Sequence, residues 1–383
     1  MNTQILTNAQ IVLANEVIFG SIHIVDGVIQ NIDSGNVSVP GAQDIDGDLL
    51  IPGMVELHTD NLERHLMPRP KTRWAELPSF LAHDVELIGA GITTVFDSIG
   101  VGEVDPKSLR GMGFDEVLKA FEYARSNDLL KSDHYLHVRC ELPAPNTVTL
   151  FETFKNHDRL RLISLMDHTP GQRQFEDVSQ ARNYYTGKKG WSHEYFDERV
   201  AAAPLMQEKY AKPNREFFVD YCRTNGIALA SHDDTTLAHV DQAVAEGASI
   251  CEFPTSMIAA KQAHMKMAVI MGAPNLVRGG SHSGNVAAKD LALAGYLDIL
   301  SSDYIPNSLL TAAFKLTQVA NFTLPQAIAT VTLHPAKAAK LSDRGEIAPQ
   351  KLADVVRLKL LKNHQGIEFP HVRGVWRRGT KIF

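Results

Sequence analysis

His58-Thr59-Asp60, Glu141, Asp167-His168, Ser231-His232-Asp233-Asp234 and Ser301-Ser302-Asp303 are the groups in this chain best equipped for chemistry. Imidazoles and carboxylates in one place can ligate a divalent metal, and a bound metal supplies hydroxide near neutral pH. Each group alone also has an ordinary reading. His-x-Asp makes a turn, as does Asp-His before Thr-Pro-Gly, and Ser-His-Asp-Asp and Ser-Ser-Asp are good helix N-caps. Ser231 and His232 do not make a hydrolytic pair, because adjacent strand residues face opposite ways. What joins the groups is context, for each closes a short apolar or β-branched run.

Eight such runs occur: MVELH, ITTVFD, HYLHVRCE, RLISLMDH, IALASHD, SICEFP, MAVIMGA and LDILSSD. Helical patterns such as FDEVLKAFEYARS and LAHVDQAVAEG lie between most of them. Strands alternating with helices predict an α/β fold, a (β/α)8 TIM-like barrel over 53–335, with an irregular, partly helical insertion near 169–226. An open doubly wound sheet is the alternative, but no Gly-x-Gly-x-x-Gly follows the first run. Residues 1–52 and 336–383 read as short strands, and both termini are expected to form one small β-sandwich domain.

Side-chain alternation then selects faces. Tyr135, His137, Arg139 and Glu141 share one face, with Cys140 on the other, towards the helices. Glu56, His58 and Asp60 share a face opposite Val55 and Leu57, and His232 is in phase with Ala228 and Ala230. The expected mouth of the barrel therefore holds His58, Asp60, Glu141, His168, His232 and Asp303, with Asp97 ending the second strand. Buried charges of this density need a partner. One or two divalent metals, such as zinc, manganese, iron or nickel, fit a mixed nitrogen and oxygen donor set, and Glu141 is the candidate bridge between two. His137 and Arg139 are expected beneath Glu141 as support, and His83 and Asp84 near the start of a helix.

Bulk properties narrow the classes. A net charge of −6 argues against a general nucleic-acid binder. Three cysteines, Cys140, Cys222 and Cys251, show no paired spacing, which favours a reducing, cytoplasmic setting. No apolar run approaches the roughly 20 residues of a membrane span.

These residues resemble the amidohydrolase superfamily, whose sequences often carry a small β-sandwich from both termini around a metal-bearing barrel. LLIPGMVELHTD is similar to its first-strand entry and GEIAPQKLADVV to its return. HTDNLERHLMPRPK, AHDVELIGAGITTVFD, HVRCELP, SLMDHTPGQRQF, MGAPNLVRGGSHSGN and ILSSDYIP resemble, in order, a phosphonate-pathway branch of that superfamily. The resemblance implies hydrolysis of α-D-ribose 1-methylphosphonate 5-triphosphate to the 5-phosphate and diphosphate, in the carbon–phosphorus lyase pathway. It implies that Asp303 binds metal and shuttles the proton of the attacking water. Two positions depart from the wider superfamily: Asp60 stands where many members have a second histidine, and Glu141 where many have a carboxylated lysine.

A polyanionic small-molecule substrate requires local cations in an acidic chain. Arg69, Lys71 and Arg73 follow the first strand, Arg173 the fourth, and Arg278 precedes the Gly-rich segment with His282. Arginine suits bidentate phosphate contact, and small-residue loops open backbone N–H groups to anions. For each the ordinary alternative is a solvated loop charge, and for His282 a loop hydrogen bond. Two other functions remain in view: an amidohydrolase cleaving a C–N bond, and a non-catalytic scaffold. Barrels of this type often pair, so a homodimer is a further expectation.

Overall fold

The computed structural model describes residues 2–69, 72–102, 114–175, 177–187, 190–281, 284–362, 364 and 366–383. All eight expected runs form strands: Met54–Thr59, Ile92–Val101, Asp133–Glu141, Leu160–Met166, Ala228–His232, Ile250–Glu252, Ala268–Gly272 and Ile299–Ser301. They pair in chain order, each parallel to the next. They are numbered one to eight below. Every residue of strands one and two is buried, as expected where helices cover a parallel sheet. Leu136, Val138 and Cys140 face the large cluster between barrel and helices. Phe96, Tyr135, Leu162, Ala230, Ile250, Ile270 and Ile299 fill the barrel interior.

Strand one breaks the expected alternation. Val55 and Leu57 pack in the interior cluster, and the register against strand two slips between Met54 and Val55 and again between Glu56 and Thr59. An extra residue in one strand re-aims the side chains after it. Glu56 is thereby freed to span the seam between strands one and eight. Its carboxylate accepts from the His58 N–H at 2.7 Å, the Ser301 hydroxyl at 2.8 Å and the Ser302 N–H at 2.6 Å. One isolated bridge, Thr59 to Asp303, supplies the backbone pairing there, and the Asp60 N–H donates to the Asp303 carbonyl at 2.7 Å. A buried carboxylate thus does at the seam what a hydrogen-bond ladder does between the other strands.

Two glycines are required by close approach. A Cβ at Gly53 would lie 2.1 Å from Thr93 Oγ1, where the chain enters strand one, and one at Gly102 would lie 2.2 Å from Thr147 Oγ1, where strand two ends at φ +91°.

Both termini contribute to a second, eight-stranded sheet, largely antiparallel. The early strands Thr3–Val12, Val17–Val25, Val28–Ser34 and Leu49–Pro52 join the late strands Val355–Lys362 and Glu368–Arg377, with Leu49–Pro52 pairing Val355–Lys362. Leu6, Ile11, Ile22, Ile24, Leu50, Val355 and Trp376 form its separate core. Ala336, Ala338 and Leu341 pack instead against the barrel interior, so this stretch closes the barrel floor before the chain returns to the terminal sheet. Between strands four and five the insertion is helical, with Val178–Gly187, His193–Met206 and Lys212–Asn225. Among the described residues no helix is long and apolar enough to cross a membrane.

Candidate metal centre

His58, Asp60, Glu141, His168, His232 and Asp303 all line one cavity of about 860 Å³ at the C-terminal ends of the strands, where barrel enzymes keep their sites. Asp97 does not. It lies in the middle of strand two and faces outward, where the His83 and His134 imidazoles bond its two oxygens at 2.7 and 2.8 Å. His83 and Asp84 sit in the body of the helix Glu76–Gly89 rather than at its start. This outer network is fully buried and distinct from the cavity.

Within the cavity the donors converge on His232. Its Nε2 lies 3.5 Å from Asp233 Oδ2, and His168 Nε2 lies 3.6 Å from the same oxygen. The three atoms fall within one ligating span. Asp233 Oδ2 is buried and has no hydrogen-bond partner among the described residues. A buried carboxylate oxygen left open between two imidazole nitrogens fits a divalent cation, which would satisfy all three at once. On the other side His232 Nδ1 is 3.1 Å from Glu252 Oε2, and His58 Nδ1 is 3.1 Å from Glu252 Oε1. Glu252 thus sits beneath both rings, which stack with centroids 5.5 Å apart.

The electrostatics follow from this crowding. His168 loses hydration, yet Glu141 at 2.5 Å, and then Asp233, raise its pKa to about 10. Burial likewise works against a charge on His58, but the Glu252 carboxylate raises its pKa overall. Burial lowers the pKa of His232. Burial opposes ionisation of Glu252 too, but His58 and the His232 hydrogen bond keep its pKa well below the ordinary carboxylate range. Across the cavity, burial and then the neighbouring Asp60 charge push Asp303 up to about 6. Asp233 and Asp303 both adopt left-handed backbone, at φ +54° and +56°. Asp tolerates this region better than most residues, and it turns each carboxylate away from its strand. Asp60 pairs with the Arg139 guanidinium, so Arg139 holds the strand-one carboxylate as well as supporting the wall below Glu141.

The expected phosphate contacts divide. Arg278 ends the helix Ala273–Arg278 and lines the cavity, exposed, beside Gly280, Ser281 and Asn285. Arg173 does not line it. Its buried guanidinium donates to Asp234 at 2.8 Å and to the His232 carbonyl at 2.9 Å, a structural clamp behind strand five. Arg73 is half-buried and bonds Glu76 at 3.0 Å, and Arg69 is exposed; neither reaches the cavity wall. Lys71 and His282 lie outside the described residues.

Four contributors were missed. Asp233 reads as an N-cap, and only the left-handed turn brings its carboxylate between His168 and His232. Glu252 closes a three-residue strand, and its in-phase position with Ile250 was the available signal. Arg64 is one helical turn beyond Asp60, so the motif HTDNLERH did carry it. Arg199, in the insertion helix His193–Met206, had no sequence signal. It lines the cavity and has no hydrogen-bond or ion-pair partner among the described residues.

The amidohydrolase family model matches residues 49–382. Alpha-D-ribose 1-methylphosphonate 5-triphosphate diphosphatase of Escherichia coli (strain K12) is 44% identical over 386 residues, covering 99% of this chain and 100% of the relative. Among solved structures, N-acetylglucosamine-6-phosphate deacetylase from Pasteurella multocida matches with a TM-score of 0.65 at 13% identity, over 100% of both chains. The corresponding deacetylase from Mycobacterium smegmatis matches with a TM-score of 0.64 at 12% identity, again over 100% of both. At such identities these structures bear on the fold, a barrel with a terminal sheet, and on nothing finer.

Proposed function

The chain belongs to the amidohydrolase family, and on that premise we propose that it hydrolyses α-D-ribose 1-methylphosphonate 5-triphosphate to the 5-phosphate and diphosphate. The observation that carries this reading is the 44% identity, end to end, with an enzyme of that name. The cavity is consistent with it, since imidazoles and carboxylates lie on its strand ends while Arg278, Arg199 and Arg64 also line it. In this reading residues 53–335, closed from below by Ala336, Ala338 and Leu341, form the catalytic barrel, and 1–52 with the rest of 336–383 the terminal unit.

One or two divalent ions would be held by His58, Asp60, Glu141, His168, His232 and Asp303, with Asp233 completing the His168–His232 pair. The donors are nitrogen and oxygen only, which suits zinc, manganese, iron or nickel. Such an ion lowers the pKa of water and neutralises developing phosphoryl charge. Asp303, a carboxylate on the cavity wall at the end of strand eight, takes the proton of the attacking water as general base. Water adds to phosphorus, the anhydride bond between the α- and β-phosphates opens, and diphosphate leaves with the bonding electrons. Arg278 and Arg199 bind the phosphate chain, with Gly280 and Ser281 lining the same wall of the cavity.

The test is phosphorus NMR of the products formed by the metal-loaded protein. Diphosphate and ribose 1-methylphosphonate 5-phosphate are expected in equal amounts, with formation abolished by a chelator. Rapid turnover of an N-acyl sugar phosphate without diphosphate release would replace this reading with C–N bond hydrolysis. Inertness of the metal-loaded protein towards both substrates would favour a scaffold.

A further inference from the structure

A hydroxyl has a single proton to give, and just beneath the candidate centre that fact sets the order of a hydrogen-bond chain. Ser164 Oγ lies 2.7 Å from Glu252 Oε2 and 2.5 Å from His137 Nε2. An ionised carboxylate only accepts. Ser164 therefore donates to Glu252 and must receive from His137 Nε2–H. His137 Nδ1 is then an acceptor, supplied by the Ser98 hydroxyl at 2.9 Å. Ser98 Oγ in turn accepts the Thr59 N–H at 3.1 Å. This N–H lies between His58 and Asp60. His137 Nδ1 is also 2.9 Å from the Leu57 carbonyl, the partner it would take if the chain ran the other way.

We infer that Glu252 is a positioning residue that sets the proton order beneath the centre, holding the Nδ1–H tautomer of both His58 and His232 and leaving both Nε2 lone pairs for a cation. Glu252 is completely buried, and each of its oxygens lies 3.1 Å from a different imidazole Nδ1, in a hydrogen bond to His232 and in a close charge contact, off hydrogen-bond geometry, to His58. Phe253 packs edge-on against both rings, but among the described residues only Glu252 places polar atoms against both Nδ1 atoms. Carboxylates that fix the far nitrogen of a ligating histidine raise its basicity and its orientation together. The cation-binding consequence rests on the metal-centre reading above, whereas the tautomers can be read in the metal-free protein.

Glu252→Gln is the informative change, because an amide has one donor end and one acceptor end. If its NH2 takes the Oε2 position, His232 must turn its Nδ1 into an acceptor and Ser164 must donate to His137. If the NH2 takes the Oε1 position, His58 must make the change instead. In either orientation one cavity histidine becomes Nε2–H and loses its lone pair for a cation. Nitrogen NMR of the metal-free protein should show Nδ1–H for His58 and His232 and Nε2–H for His137. In the variant at least one of His58 and His232 should switch, and zinc affinity should fall by about 10–100-fold. Unchanged tautomers with unchanged zinc affinity would overturn the inference. Should Glu252→Gln not fold, Ser164→Ala serves in its place: His137 Nε2 then loses its acceptor at 2.5 Å and keeps only the Glu252 carboxylate at 3.7 Å on that side, so its proton should move to Nδ1, towards the Leu57 carbonyl at 2.9 Å. A His137 that stays Nε2–H there would refute the chain. Failure of wild-type protein to hydrolyse the triphosphate would leave the tautomer result standing.

Discussion

His134 is buried outside the barrel wall, gripped by Asp97 at 2.8 Å and Asp84 at 3.0 Å. Asp84 also accepts the Lys131 and Ser132 N–H groups, at 2.8 Å each, while His83, whose pKa burial lowers, stays neutral between Asn61 and Asp97. Phe80 and Phe121 pack on the His134 ring. Burial opposes its charge, but the two aspartates win and raise its pKa to about 9. In the unfolded chain an imidazole titrates near 6.5. The folded value is the higher one, so the contribution is complete below about pH 6.5 and is lost as pH rises towards and through about 9. A rise of roughly 2.5 units corresponds to about 3 kcal/mol at most. The depressed pKa of Asp97, about 2, describes the same interaction from the other side and is not added to it.

The assay is urea unfolding of the wild type and of His134→Gln from about pH 6 to about pH 9.5. At the acid end the variant leaves two buried aspartates without their cation, a loss of about 3–5 kcal/mol. At the alkaline end wild-type His134 has itself become neutral, so the gap should narrow by roughly 3 kcal/mol. Groups elsewhere, such as His168, titrate in both proteins and drop out of the difference. Parallel stability curves across this range would refute the reasoning, because they would mean that His134 is not a cation in the folded protein.

Three further outcomes are expected. Asp303→Asn should retain its metal content and lose about 10²–10⁴-fold in turnover, and near-normal turnover would remove Asp303 from proton transfer. The two arginines should separate. Arg173→Ala should lower unfolding stability by about 3–5 kcal/mol because Asp234 is left buried and unpaired, whereas exposed Arg278→Ala should keep stability within about 0.5 kcal/mol and raise KM for the triphosphate about tenfold. Reversal of that pattern in paired unfolding and kinetic measurements would interchange their roles. Chelation should lower the melting temperature as well as abolish turnover, since a cation held by the folded site stabilises only that state; an unchanged melting temperature would speak against a buried centre.

Much of this architecture was legible because the barrel repeats one physical requirement eight times. MAVIMGA is apolar on both faces and ITTVFD is rich in β-branched residues on both, as strands covered by helices should be, and all eight runs were readable. The inward phase of His137, Arg139 and Glu141 was also readable, because strand three pairs on both sides without a slip over those residues. Strand one was not, because its two register slips follow from how it meets strands two and eight. Asp97 misled for a related reason: strand two continues four residues past it, which moves Asp97 from the mouth to the middle of the wall.

By itself the sequence determined the kinds of donor and the strand ends that carry them. His58, Glu141, His168, His232 and Asp303 could be named because period-two alternation and strand termination are local properties. Only the tertiary structure decided which groups meet. Asp233 joins the centre through one left-handed residue. Glu252 matters because strand six passes beneath two histidines that are 174 positions apart in the chain, from His58 to His232. Arg173 was claimed by Asp234 before any substrate could reach it. Hydrogen bonds and ion pairs act over about 3 Å, and distance on that scale is set by packing rather than by spacing along the chain.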